Sequence, residues 1–185
     1  MSMELIAVGA LGVALLWILV GGRIVVSIGG AQVGVMERRY LGRSLPEARV
    51  VALPGEIGFQ ARSLRPGLHV LSPYIYRVSR QPMIVVNEDE IGLVESIDGQ
   101  PLQPGQIFAR RVTGHDSFQD GEAFLRGGGQ KGPQVDFLSP GQYRINTYLF
   151  HVRLAPAVSV LPGHVGVVSA RDRSEERRVG KECRL

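Results

Sequence analysis

An internal repeat at a separation of 74 residues is the feature that most constrains how this 185-residue chain folds. Residues Leu64 to Val78 align with Leu138 to Val152, and five of the fifteen positions are identical. Each copy has a β-type run, a Pro-Gly turn at Pro66-Gly67 or Pro140-Gly141, and a second β-type run with aromatic residues. The repeat predicts two strand-turn-strand units that pack on a shared core.

The repeat has weaker extensions on both sides. Glu90 to Val94 resembles His164 to Val168 at the same separation, and Val33-Gly-Val and Ile57-Gly-Phe show a related pattern at other spacings. Asp98-Gly99 follows the β-type run Ile91 to Ser96 and predicts a tight turn, because glycine accepts a positive φ.

Short β-branched and apolar runs separated by turns indicate that the rest of the chain is mainly β. Further strands are expected at Ile24 to Ile28, Val33 to Met36, Arg49 to Leu53, Ile75 to Val78, Met83 to Val86 and Ala157 to Val160. One helix is predicted from Ser117 to Arg126, where Ser117 and Asp120 resemble a capping pair and Gly127 to Gly129 supply a stop. The expected fold class is α+β, mainly β, with at least one short helix.

Leu5 to Gly22 is an apolar stretch without a charged residue. Eighteen helical residues would rise roughly 27 Å, close to the thickness of a bilayer core, and Trp17 suits the lipid interface. A signal peptide is disfavoured because Glu4 replaces the usual basic residue, and a buried core helix is rarely apolar all round. Residues 1–22 are therefore expected to form an N-terminal transmembrane helix.

Arg23, Arg38, Arg39 and Arg43 follow this stretch, and no basic residue precedes it. The positive-inside rule then places the C-terminal body in the cytoplasm of a single-pass membrane protein. The same arginines are candidate contacts for anionic lipid headgroups, and a purely topological role is the equal alternative.

Residues 173–183 resemble the in-frame translation of a sequencing-adapter string. The repeat supports this reading, because the counterpart of the turn residue Gly99 is Arg173. We therefore expect a native domain over residues 23–172, an artefact at residues 173–185, and a natural continuation that is missing. Cys183, the one cysteine, lies in this tail, so neither a disulfide nor a cysteine zinc site is expected.

Several motifs together resemble the N-terminal part of bacterial flotillin-like proteins of the SPFH superfamily (stomatin, prohibitin, flotillin; band 7). They are Pro54 to Ala61, Leu64 to Gly67, Glu90 to Val94 with Asp98-Gly99, Phe118 to Asp120, Gly128 to Gln134 and Tyr143 to Thr147. The resemblance implies a membrane-anchored scaffold whose β-rich SPFH domain lies at the membrane. It also implies a following helical region that drives assembly into large homo-oligomers.

The residues themselves give little support to catalysis, cofactors or metals. His115-Asp116 with Lys131 is the one candidate polar set, and a helix-capping role for Asp116 or Ser117 is favoured. Gly127 to Pro133 lacks the Gly-Lys-Ser/Thr of a phosphate loop, and Glu88 to Glu90 fits a solvated turn. Dispersed arginines and a net charge of +4 do not indicate nucleic-acid binding.

The sequence thus predicts a non-enzymatic, membrane-anchored scaffold that oligomerises and organises membrane proteins or lipids laterally. The alternatives are an accessory regulator of a membrane protease and a membrane-tethered enzyme. The expected partners are the lipid bilayer, further copies of the chain, and membrane-protein clients or a membrane protease.

Overall fold

The computed structural model of the chain describes residues 9–17, 24–158, 160, 162–163 and 165–167. These ranges contain mostly β-structure and two helices. The elements are α1 (residues 9–17), β1 (Val25–Ile28), β2 (Gln32–Arg38), β3 (Gly58–Leu64), β4 (Gly67–Val70), β5 (Tyr76–Pro82), β6 (Ile84–Val86), β7 (Glu90–Ser96), α2 (Gly121–Arg126), β8 (Gly132–Leu138), β9 (Gly141–Tyr143) and β10 (Phe150–Pro156).

The predicted transmembrane helix is wrong for the described residues. Residues 9–17 are the part of the predicted span that the structure describes as helical, and nine helical residues rise about 14 Å, whereas a bilayer core is roughly 30 Å thick. No helix in the described ranges is both long and apolar enough to cross a membrane. The other residues of the predicted anchor, 1–8 and 18–22, lie outside the described residues, as do Arg23 and residues 168–185.

The ten strands form two units with the same connectivity. Unit 1 (residues 25–82) contains the two-stranded ribbon β1-β4 and the three-stranded sheet β3-β2-β5. Unit 2 (residues 84–156) contains the ribbon β6-β9 and the sheet β8-β7-β10, and every pairing in both units is antiparallel. The repeat seen in the sequence is therefore part of a larger, five-strand repeat.

The two units also share their strand register. Gly34 pairs with Leu64 in unit 1, as Gly92 pairs with Leu138 in unit 2. The register then shifts between Val35 and Glu37 in unit 1 and between Leu93 and Glu95 in unit 2. Strands β3 to β5 match β8 to β10 at a separation of 74 residues, whereas β2 matches β7 at 58. The counterpart of Glu90 to Val94 is consequently residues 32–36, and residues 165–167 are not in a strand.

A buried glutamine organises the same loop in each unit. The side-chain amides of Gln60 and Gln134 each donate to the backbone carbonyls two and four residues earlier, at distances of 2.8 to 3.1 Å. Each glutamine also forms a parallel bridge, Gln60 to Ala52 and Gln134 to Ala109. The predicted strand Arg49 to Leu53 is reduced to this bridge, and the described residues after Pro156 form no strand.

Helix α2 begins four residues later than predicted. Its N-cap is Asp120, whose carboxylate accepts a hydrogen bond from the Ala123 amide at 3.0 Å. Asp116, Ser117 and Phe118 all have positive φ angles, between 47° and 64°, so they cannot form a right-handed helical turn. Ser117 is therefore not the helix cap.

Asp98-Gly99, where the sequence predicts a tight turn, forms a bend at the end of β7. Strand β7 pairs with β8 and β10, so no strand returns directly after the bend. Gly99 has a φ of +137°, and a Cβ atom there would lie 2.4 Å from the carbonyl oxygen of Gly129. Both the angle and the close approach require glycine.

The cores of the two units differ in size. Unit 1 has a small cluster of Ile28, Met36 and Leu64. The larger cluster gathers residues from both halves of the chain around aromatic rings: Val51, Ala61, Val86, Val94, Phe118, Phe124, Leu138, Ile145, Leu149 and Phe150. Because Val51 and Ala61 precede unit 2 in the sequence, the larger core also joins the two units.

Candidate functional site

The junction between the units is formed by the turn before β10 and the sheet of unit 1. The buried Asn146 side chain donates to the carbonyls of Gln60 at 2.9 Å and Ala61 at 3.2 Å. Two residues later, the Tyr148 ring stacks on Phe59 with a centroid distance of 3.8 Å. Unit 2 thus covers one face of the unit 1 sheet with a polar and an aromatic contact.

Asp98 makes a second buried connection across the molecule. One carboxylate oxygen accepts hydrogen bonds from the amides of Val50 at 2.9 Å and Val51 at 2.7 Å, and the other accepts from Gly99 at 2.7 Å. This carboxylate satisfies backbone donors of the loop between β2 and β3. The sequence around Asp98 indicates only a turn and carries no signal for this long-range role.

An open polar cleft of about 480 Å³ lies beside the junction. It is lined mainly by charged residues of β3, the loop before α2, and the segment after β9. The lining includes Arg62, Arg65, His69, Asp116, Gln119, Asp120, Glu122 and Arg144.

The charges in this cleft are unequally engaged. Asp120 caps α2, and Glu122 pairs with Arg126 at 2.7 Å. The guanidinium groups of the three lining arginines make no ion pair within the described part of the chain. The cleft can therefore present cationic groups to an anion, although three carboxylates share its wall.

His115, Asp116 and Lys131 do not form a catalytic set. The His115 ring is buried, accepts a hydrogen bond from the Phe118 amide at 2.8 Å, and stacks on the Phe118 ring. Asp116 lines the cleft, whereas Lys131 is exposed outside it and uses its backbone amide to bond Gln100. The Nδ1 atom of the histidine thus holds the left-handed segment in place.

The other motifs considered for ligand binding have local structural roles. The backbone amides of Gly127 and Gly129 donate hydrogen bonds to carbonyls of the last turn of α2. These amides therefore cap the helix and are not directed at a phosphate group. Glu90 accepts a hydrogen bond from the Asn87 side chain at 2.7 Å, within the turn that leads into β7. Among the described residues, no group of three metal-ligating side chains is present.

The predicted headgroup arginines are only partly available. Arg38 donates to the carbonyls of Tyr40 and Leu41, and its guanidinium lies 5.6 Å from the centre of the Tyr76 ring. Arg39 and Arg43 are exposed, and Arg39 has a long ion pair of 3.9 Å with Glu37. Arg38 therefore stabilises its own loop, while Arg39 and Arg43 remain candidates for headgroup contacts.

The ribbon of unit 1 has an exposed apolar face, which we call the ribbon face: Val25, Leu68 and Val70. Val25 and Val70 are directly opposite each other, and these side chains are 51% to 75% exposed. At a separation of 74 residues, Gln142 and Arg144 take the places of Leu68 and Val70 in unit 2. The fold therefore does not require apolar residues here.

The sheet of unit 2 has a second exposed apolar face, the β7-β8 face: Leu93, Pro133, Val135 and Phe137. Its three larger members are 37% to 58% exposed. The alternation of these residues with Gln134, Asp136 and Leu138 was a signal for one-sided burial. In the structure this apolar side faces solvent.

No protein-family model, curated protein or solved structure matches this chain.

Proposed function

We propose that the protein is a non-enzymatic scaffold of the stomatin, prohibitin and flotillin type, which binds a membrane surface and associates with copies of itself. The observation that carries the lipid-binding part is the ribbon face. Its Leu68 and Val70 are each 75% exposed, where the equivalent fold positions of unit 2 carry a glutamine and an arginine. Exposed apolar residues in a position that tolerates polar ones favour a binding role.

Helix α1 supports contact with lipid. The side chains of Leu11, Val13, Leu15, Leu16 and Trp17 are all more than half exposed. Exposed apolar residues and a tryptophan on a helix are suited to the boundary between headgroups and acyl chains. Arg39 and Arg43 add cationic groups, each worth about 1 kcal/mol near an anionic leaflet.

The ribbon face provides a measurable share of this binding. Transfer of Leu68 and Val70 from water into the interface contributes about 2 to 4 kcal/mol. Replacing both by an uncharged polar residue, in the double variant Leu68→Gln/Val70→Gln, should weaken vesicle binding by about thirty-fold or more, which corresponds to about 2 kcal/mol. The assay is co-sedimentation of the full chain with phosphatidylcholine and phosphatidylglycerol vesicles.

The matched control is Val85→Gln, which removes an apolar side chain of the unit 2 ribbon that is 50% exposed. It should bind vesicles like the unchanged protein, because the unit 2 ribbon lacks the other apolar residues. Equal vesicle binding by the double variant and the control would refute the ribbon face as a lipid-binding surface. Both variants keep helix α1, so the comparison isolates the ribbon.

The enzyme alternative has less support, since His115 is committed to the Phe118 amide and the aromatic core. Regulation of a membrane protease stays a prediction. It would require a protein surface, and the β7-β8 face is an exposed apolar surface of unit 2.

A further inference from the structure

Equivalent faces of the two sheets differ in one respect: the face in unit 1 is covered and the face in unit 2 is open. In unit 1 this face carries Val35, Phe59 and Ala61, and it packs against the turn before β10. The matching residues of unit 2 are Leu93, Pro133 and Val135. Nothing in the described part of the chain stacks on them as Tyr148 stacks on Phe59.

The covering turn also has an equivalent in unit 1. Residues 146–149 of unit 2 correspond to residues 72–75 of unit 1. In each turn, the carbonyl of the first residue accepts hydrogen bonds from the backbone amides three and four residues later. Tyr148 corresponds to Tyr74, so the stacking residue is identical. Tyr74 is 69% exposed and makes no ring contact with the residues that the structure describes. Each chain therefore has one unused turn and one unused face.

We propose that two copies of the chain associate head to tail, with the Tyr74 turn of one copy on the β7-β8 face of the next. The contact repeats, between molecules, the contact that Tyr148 makes with unit 1 inside one molecule. This inference names the surfaces used in the self-association part of the proposed function, and it rests on that part.

The open face is chemically suited to this occupant. It is more apolar than its covered equivalent, because Leu93 replaces Val35, Val135 replaces Ala61 and Phe137 replaces Ser63. A tyrosine ring can pack on Pro133 and Phe137 while its hydroxyl stays in water. The serine at position 72 takes the place of Asn146, and its hydroxyl can donate to the carbonyl of Gln134, which is equivalent to that of Gln60.

The geometry of the contact determines the assembly. Because the turn and the face are different surfaces, the interface is heterologous, and each added copy exposes a new turn and a new face. Such a contact produces rings or open chains and not isolated symmetric dimers.

A complementation experiment with the full chain tests this arrangement. Tyr74→Asp and Phe137→Asp should each weaken self-association at least tenfold in analytical ultracentrifugation, since each removes a central anchor. A mixture of the two should recover a 1:1 complex, which cannot grow because each copy has lost its other surface. The control Tyr40→Asp changes another exposed tyrosine, 63% exposed, and should assemble like the unchanged chain.

Cross-linking supplies a second readout that keeps both anchors, Tyr74 and Phe137. In a Cys183→Ser background, a mixture of Ser72→Cys and Pro133→Cys chains should form mixed disulfides in preference to either homodimer. The head-to-tail contact would be refuted if only disulfide-linked homodimers formed, or if the aspartate variants assembled like the unchanged chain. Either result would still be compatible with self-association through another surface. An unchanged chain that stays monomeric would overturn both the contact and the self-association part of the proposed function.

Discussion

Replacing Asn146 by alanine tests whether the two units are held together by a specific polar contact. The side chain is 1% exposed and donates to the carbonyls of Gln60 and Ala61, while its oxygen accepts from the Tyr148 amide at 3.1 Å. Alanine removes all three hydrogen bonds. It leaves two buried carbonyl groups and one amide without this side-chain partner.

The expected loss in the free energy of unfolding follows from these groups. A typical intramolecular hydrogen bond contributes about 1 kcal/mol net, and a buried group left without a partner costs about 1 to 3 kcal/mol. In the variant, we expect water to replace some of these three hydrogen bonds. The free energy of unfolding should therefore fall by about 2 to 4 kcal/mol. For a chain of this size, that loss lowers the Tm by about 5 to 15 °C.

Ser72→Ala is the matched control, because Ser72 has the place of Asn146 in unit 1. Only its backbone carbonyl accepts hydrogen bonds, from the amides of Ile75 and Tyr76, so the substitution should cost less than about 0.5 kcal/mol. Chemical denaturation followed by circular dichroism measures both variants at a concentration where the chain is monomeric. Equal stability of Asn146→Ala and Ser72→Ala would refute the assigned role of the junction.

Two further substitutions test the backbone and the surface charges in the same denaturation assay. Gly99→Ala should cost about 3 kcal/mol or more, because a positive φ adds to a clash with the Gly129 carbonyl. Gly105→Ala, at a φ of +85° in open space, should cost only about 1 kcal/mol, and equal costs would show that the clash is not real. Glu122→Gln breaks a surface ion pair with the exposed Arg126 and should change stability by less than about 0.5 kcal/mol.

The repeated unit could be predicted where the sequence retains turn residues. The Pro-Gly pairs at Pro66-Gly67 and Pro140-Gly141 fix the link between two strands in each unit, so the repeat was visible at one separation. The match of β2 with β7 was missed because unit 2 contains a longer connection with α2. An insertion shifts the separation from 74 to 58 residues, and comparison at one fixed separation cannot follow it.

The surfaces and buried polar contacts could not be predicted in the same way. An alternating strand pattern shows that two faces differ, but it does not show which face meets the core, as the exposed Val135 and Phe137 illustrate. The hydrogen bonds of Asp98 to Val50 and Val51 join residues 47 and 48 positions apart. Such contacts depend on the packed arrangement of both units and leave no local sequence signal.

The apolar stretch at the N-terminus was assigned from length and composition alone. Those criteria establish that the residues avoid water, but they do not establish that a continuous helix forms. The described helix α1, residues 9–17, contains two weak helix formers, Gly9 and Gly12. Hydropathy does not register this low helix propensity, so length and apolarity alone could not establish a spanning helix.

The shared core has a consequence for the order in which the chain is made. Val51 and Ala61 leave the ribosome early, yet their partners include Phe124, Leu149 and Phe150. At about 5 to 20 residues per second, the roughly 90 residues from Ala61 to Phe150 take about 4 to 18 seconds to synthesise. During that interval the N-terminal half can bury apolar residues only in its small cluster of Ile28, Met36 and Leu64. The larger core can therefore form only after the second half of the chain has been translated.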